Sequence, residues 1–246
     1  RFFRKFRGSR IRSASEVFMN EITNTCYYVM DYYPKGTLED ELEQKGTLGE
    51  EEAIERIMIP LARALKTMHD NGWLHLDVKA ANVLIDEDGY GVLGDLGISQ
   101  HWDENGNKLT KGMPGIGSEG ASAKQKDYHD EEYASEFHPE QDIYSMAALY
   151  YRILTGDRNH GDFVPFSLDF SNISEESKNA IATVLSDGDT LESTPKSVLE
   201  FMRMLPGCRE LELPEILPSD DVVGYDDFDF DIEDMDMPDF DDFDLP

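Results

Sequence analysis

Cysteine is nearly absent from this chain: Cys26 and Cys208 are the only two in 246 residues. They are too few and too distant in sequence for a disulfide framework, so a reducing, cytoplasmic compartment is expected. No apolar run approaches the roughly 18 residues that a membrane-spanning helix needs. Basic residues are scarce beside acidic ones, 22 Lys and Arg against 52 Asp and Glu, which leaves a formal charge of −30. Such a surface repels phosphate backbones and argues against general nucleic-acid binding. The chain opens on Arg1 and not on Met, so it is expected to be part of a longer protein, with any upstream leader or anchor left open.

The acidic charge is unevenly spread. Residues 206–246 hold 16 carboxylates and one basic residue, Arg209, so this stretch alone carries half of the net charge. Asp220 to Pro246 alternates Asp with aromatic or Met residues and contains no Lys or Arg. It has too little apolar area to offset the entropy of ordering, and disorder is expected there. The plain reading is a solubilising extension. The sharper one is that Asp226 to Asp244, with Phe228, Phe230, Phe240 and Phe243, docks on a basic groove of a partner or on the basic Arg1–Arg12 segment.

Periodicity predicts several helices. From Glu50 to Asp70, Ile54, Ile57, Met58, Leu61, Leu65 and Met68 recur at three- and four-residue steps, a stripe that faces a core. Asn71-Gly72 supplies left-handed residues to end it. Pro60 sits inside the pattern and conflicts with it, because it lacks an N–H and should bend the helix. Gln141 to Leu154 is apolar on most faces and should stop at Thr155-Gly156. Glu175 to Leu185 and Thr194 to Leu205 read as amphipathic helices capped by Ser174 and by Ser193 or Thr194. Val17 to Met30 predicts two strands broken at Asn24. Gln100 to Phe137 is polar, Gly-rich and poorly periodic.

The chemistry is concentrated in one ordered set. His75-Leu76-Asp77-Val78-Lys79-Ala80-Ala81-Asn82 is followed 13 positions later by Asp95-Leu96-Gly97. Between them lies a predicted hairpin: Val83-Leu84-Ile85, turn chemistry at Asp86-Glu87-Asp88-Gly89, and a return strand from Tyr90 to Gly94. The order matches a well-known template, H-R-D-x-x-x-x-N and D-F-G, in which a phosphoryl-transfer catalytic loop is followed by a metal-binding loop.

On these residues the chain resembles the eukaryotic-type serine/threonine protein kinases. Tyr27 to Tyr33 resembles the strand leading into the interlobe hinge, Gly36 to Asp40 the start of the next helix, and Asp142-Ile143-Tyr144-Ser145 the helix whose Asp braces the catalytic loop. The resemblance runs over roughly residues 1 to 205. It implies an α+β, protein kinase-like fold, mainly the helical C-terminal lobe with a few small-lobe β-strands. Residues 1–33 would be a remnant of the small lobe, 34–205 the large lobe, and 206–246 an acidic tail. The activity implied is transfer of the γ-phosphoryl group of ATP to Ser or Thr hydroxyls of protein substrates. Asp77 would act as catalytic base, Lys79 would neutralise charge on the transferred group, and Ser118 would bond both near the substrate. Asn82 and Asp95 would hold Mg²⁺ through oxygen. Backbone groups of Asp31 and Tyr33 would read the adenine edge, Met30 would guard the pocket behind, and Leu84 would pack under the ring. His75 is expected to serve the core and not the chemistry.

Departures from the pattern carry information too. Leu76 stands where many relatives have Arg, so it cannot pair a phosphate on the activation segment. Leu96 replaces the usual Phe and can fill the same apolar slot. Ala123-Lys124-Gln125 stands for Ala-Pro-Glu, and Leu191 takes the position of the Arg that this Glu normally pairs. Losing both partners together can be nearly neutral. Thr37 and Ala81 occupy positions where relatives directed to basic substrates place Glu. No Gly-rich loop, strand Lys or partner Glu appears, so the chain by itself is not expected to assemble a complete ATP site. The competing readings are a pseudokinase acting as scaffold or allosteric partner, a small-molecule phosphotransferase sharing H-x-D-x-x-x-x-N, and an interaction module working through the acidic tail.

Overall fold

The computed structural model describes residues 9–12, 14–20, 22–23, 25–109, 137–156, 173–185 and 194–214. Ser118, Ala123-Lys124-Gln125, Leu191 and residues 215–246 lie outside this set, and with them the expectations placed on the activation segment and the distal tail.

Strands β1 (Ala14–Asn20) and β2 (Thr25–Met30) pair antiparallel, with a register shift between Ala14 and Glu16. Their connection is held by Asn20, whose Oδ1 accepts the N–H groups of Ile22 and Thr23 at 3.0 and 3.2 Å. Helix α1 (Leu38–Lys45) starts at Thr37, which forms a capping box with Asp40. Thr37 Oγ1 accepts the Asp40 N–H at 3.2 Å, and Asp40 Oδ2 accepts the Thr37 N–H at 2.8 Å.

The predicted long helix forms in three parts: α2 (Glu50–Ala53), a π-helical turn (Ile54–Met58) and α3 (Ile59–His69). This resolves the conflict at Pro60. The widened turn lets Ile59 N–H bond to Ile54 O, and Pro60, which has no N–H, enters at the start of α3 where the ladder has already shifted. All six stripe residues are buried. Arg56, on the widened turn, pairs with Glu41 of α1 at 3.0 Å and donates through Nε to Gly89 O at 2.7 Å. The hairpin turn is thereby tied to two helices.

After α3 come β3 (Trp73–Leu74), a 3₁₀ turn (Ala80–Asn82), β4 (Val83–Ile85), β5 (Gly91–Leu93) and β6 (Gln100–His101). The β4–β5 hairpin forms in the predicted place. Its turn closes through Gly89 N–H to Asp86 O and Tyr90 N–H to Asp86 Oδ1, at 3.0 and 2.8 Å. β6 pairs antiparallel with β3, a short pairing that the aperiodic stretch after Gln100 did not signal.

Helix α4 (Glu140–Thr155) ends at left-handed Gly156, φ 73°, and is buried on most faces. It packs on α2 and on α5 (Glu175–Leu185), while α3 packs on β5 and on α6 (Val198–Arg203). Ser174 caps α5 as expected, its Oγ accepting the Ser177 N–H at 3.2 Å. The last helix begins later than predicted. Pro195 disfavours helical backbone at Thr194, and Ser197 supplies the cap by accepting the Glu200 N–H at 3.2 Å. No helix among the described residues is long and apolar enough to cross a membrane.

Candidate active site

The site is built on a loop, residues 75–79, that makes little regular structure of its own, so its shape must come from side chains beneath it. Asp142, fully buried near the start of α4, supplies the support. Its Oδ2 accepts the His75 N–H at 2.8 Å and its Oδ1 accepts the Leu76 N–H at 2.7 Å. His69 Nε2 lies 2.9 Å from Oδ2. Burial pushes this carboxyl up, but the hydrogen bonds from His69 and from the His75 backbone outweigh it, and Asp142 sits below the ordinary carboxylate range. The tight turn this produces holds Leu76 at φ 66°, in the left-handed region that non-glycine residues seldom enter.

His75 is fully buried, and both ring nitrogens are engaged. Nδ1 accepts the Asp77 N–H at 3.2 Å, so the ring proton sits on Nε2 and is donated to Gly94 O at 2.9 Å. Burial holds the imidazole below its usual pKa despite the nearby Asp142 charge. The ring thus ties the 75–79 loop to the residue before Asp95, which is the core role expected of it.

Asp77 is 8 % exposed and Asn82 7 %. The Asn82 amide Nδ2 donates to Asp77 O at 2.8 Å and to Asp77 Oδ2 at 2.7 Å. Lys79 Nζ lies 2.8 Å from the same Oδ2. Asn82 O in turn accepts the Gly94 N–H at 2.8 Å, so the clamp is continuous with β5 and the metal-loop candidate. Asp95 follows at φ 52°, its Oδ1 3.3 Å from the Gly97 N–H.

The donor set suits a hard divalent cation. Committing Nδ2 to Asp77 leaves Asn82 its amide oxygen as acceptor, and Asp95 brings a carboxylate. Among the described residues no group of three or more His, Cys, Asp or Glu side chains is arranged to hold a metal ion by itself. A shell with one or two protein ligands, completed by phosphates and water, is the usual arrangement for Mg²⁺.

On the side towards β2, Met30 and Asp31 are exposed, while Tyr33 and Leu84 are half-buried. Leu84 forms a bridge with Thr37, and Ile85 N–H bonds to Gly36 O at 3.0 Å, which sets the hinge-side segment against β4. Burial, reinforced by Asp31, raises the Tyr33 hydroxyl above its ordinary pKa. Arg12, which sequence reasoning grouped only with a basic segment, stands here with its Cζ 5.9 Å from the Tyr33 ring centroid. Only its side-chain reach, invisible in a linear pattern, could have singled it out.

A different ion pair ties the late helices. Lys196 Nζ, in the loop before α6, meets Glu140 Oε1 of α4 at 2.9 Å.

A sequence model of the protein kinase domain matches residues 1–205. The chain therefore belongs to the protein kinase domain family. It is 33 % identical over 147 residues to a Clostridium perfringens protein named "Probable serine/threonine-protein kinase CPE1738", covering 58 % of this chain and 19 % of that protein. It is 29 % identical over 150 residues to serine/threonine-protein kinase PknB of Mycobacterium tuberculosis, covering 61 % and 23 %. The PknB of Mycolicibacterium smegmatis is 29 % identical over 160 residues, with the same coverage, 61 % and 23 %. The chain spans about a fifth of the length of these curated relatives.

Proposed function

We propose that residues 1–205 are the greater part of the catalytic domain of an ATP-dependent serine/threonine protein kinase. Residues 1–33 belong to its small lobe, 34–205 to its large lobe, and 206–246 form an appended acidic tail. The observation that carries this reading is the grip on Asp77: amide and ammonium donors at 2.7 and 2.8 Å on one carboxylate oxygen, in a loop braced by buried Asp142. A carboxylate so fixed can orient a substrate hydroxyl.

In this reading the hydroxyl oxygen bonds to the γ-phosphorus as the bond from that phosphorus to the β–γ bridging oxygen breaks. ADP leaves with the electron pair, and Asp77 takes the hydroxyl proton. Lys79 offsets charge on the transferred group. Asn82 and Asp95 would hold Mg²⁺, which supplies charge neutralisation at the phosphates. Asp31 and Tyr33 present backbone groups to the base, Leu84 its floor, Met30 the wall behind, and Ser118 a hydroxyl near the substrate.

The test uses full-length protein with labelled ATP, Mg²⁺ and a mixed protein substrate, beside Asp77→Asn. Transfer to Ser or Thr that vanishes in the variant is the expected result. Absence of transfer together with absence of Mg-ATP binding would favour a pseudokinase scaffold.

A further inference from the structure

The dipeptide Asn-Gly occurs twice in the chain, at Asn71-Gly72 and at Asn105-Gly106. It carries a chemistry of its own. A glycine has no side chain to shield its amide nitrogen or to restrict its backbone, so that nitrogen can reach the side-chain carbonyl carbon of the Asn before it. Whether it does so in a folded protein depends on how freely the pair leaves its folded conformation.

Asn71-Gly72 is held by several elements at once. It is half-buried where α3 ends. Asn71 Nδ2 donates to Thr67 O at 2.8 Å, and the Gly72 N–H donates to His69 O at 3.0 Å. Gly72 O accepts the Trp102 N–H at 2.8 Å, and a Cβ built on Gly72 would stand 2.4 Å from the Trp102 carbonyl oxygen. Cyclisation here requires the end of α3 and the chain after β6 to come apart together.

Asn105-Gly106 is exposed, in the turn that follows β6. Its backbone restraints all lie inside that turn. Asp103 Oδ1 accepts the Asn105 and Asn107 N–H groups at 2.9 and 2.8 Å, and Asp103 O accepts the Gly106 N–H at 3.0 Å. A Cβ built on Gly106 would have nothing within 4 Å. Opening the turn at this point therefore displaces no packed neighbour, and openings of that kind lie at the low end of the free-energy range.

We infer that Asn105 is a site of spontaneous covalent modification, and that the fold shields Asn71 from the same reaction. The Gly106 amide nitrogen bonds to Asn105 Cγ, the Cγ–Nδ2 bond breaks, and ammonia leaves with the amide proton. Water then adds to either carbonyl carbon of the cyclic imide and opens it, giving aspartate or isoaspartate. Either product sets a new carboxylate beside Asp103 and Glu104. Isoaspartate also lengthens the main chain by one carbon between Asp103 and Asn107, the residues that close the turn through Asp103 N–H to Asn107 O at 2.9 Å. The inference is independent of the kinase reading.

The experiment ages full-length protein in mildly alkaline buffer, native and in urea, and maps it after digestion with trypsin. Cleavage after Lys66, Lys79 and Lys108 puts the two Asn-Gly pairs in separate peptides. Fragment spectra then locate each gain of about 1 Da. In native protein Asn105 should convert about tenfold or more faster than Asn71, and in urea the two rates should converge. Asn105→Gln should remove the gain at that position and leave Asn71 as it was. Asn71 keeping pace with Asn105 in native protein would overturn the inference, as would an Asn105 that reacts only in urea.

Discussion

Asn82 clamps Asp77 twice with a single amide nitrogen, on the backbone oxygen at 2.8 Å and on carboxylate Oδ2 at 2.7 Å. The residue proposed as a metal ligand is therefore also the residue that aims the proposed base. Replacing Asn82 with Ala removes both functions, and replacing it with Asp separates them. Asp keeps an oxygen for Mg²⁺ but sets a carboxylate against Asp77. We predict that Asn82→Asp lowers kcat about 100-fold or more with little change in the Mg²⁺ concentration for half-maximal rate. Steady-state kinetics across a Mg²⁺ titration would settle it, and an unchanged kcat would remove the clamp from the mechanism.

Asp142 accepts two backbone N–H groups, from buried His75 and part-buried Leu76. In Asp142→Asn an amide NH₂ must face one of those N–H groups. We expect a loss of about 2–5 kcal/mol in unfolding free energy, read by urea denaturation. A loss below about 1 kcal/mol would mean that the loop keeps its shape without the brace.

Acid should weaken the fold through two buried groups acting in the same direction. Burial holds folded His75 below its ordinary pKa. As pH falls through about 6.5, the unfolded chain therefore gains a proton that the folded chain refuses. Stability then declines by up to about 1.4 kcal/mol per pH unit. Asp142 is also depressed in the folded state, because its bonds to His69 and His75 outweigh its burial. Its contribution is complete above about pH 4 and fades as pH drops through the folded value. Urea midpoints at pH 7, 6 and 5 should fall in that order, and a flat profile over this range would contradict the neutral, buried state of His75.

Gly72 and Gly207 share a left-handed backbone, φ 73° and 72°, but not a neighbourhood. A Cβ on Gly72 would meet the Trp102 carbonyl oxygen at 2.4 Å, whereas nothing lies within 4 Å of one on Gly207. Gly207→Ala should therefore cost only the conformational strain, about 1 kcal/mol. Gly72→Ala must also push back the backbone that β6 leads into, and about 2–4 kcal/mol is expected. Thermal melts of the two variants side by side make the comparison. Equal shifts would mean that the chain at Trp102 yields freely.

Membership of the kinase family was legible because the family pattern sets particular residue types at fixed intervals over residues 75–97, and the hairpin between Asn82 and Asp95 was legible from its turn residues. The apolar stripe from Ile54 to Met68 gave one long helix correctly in outline. It could not show the π-helical turn, since widening by a single residue barely changes which side chains face the core. Only the conflict at Pro60 hinted at it. The start of α6 was misplaced because Ser193, Thr194 and Ser197 are all capable caps, and Pro195 decides among them. Side chains that meet across long separations left no local trace: Lys196 with Glu140, Arg56 with Glu41 and Gly89, and Arg12 with Tyr33.

Leu93 is bonded on both its backbone groups by the segment around Ile11, its N–H to Arg10 O at 2.8 Å and its carbonyl to the Arg12 N–H at 2.7 Å. The β1–β2 ribbon is thus fastened at two places, by the covalent link through residues 31–36 and by this short parallel seam two residues before Asp95. A panel hung on two hinges swings about the line that joins them and about no other. Any swing of the ribbon would accordingly pivot on an axis running from Ile11 to Tyr33, with Leu93 at one of its two bearings, so that the proposed metal ligand Asp95, two residues on, moves less than the far turn of the ribbon.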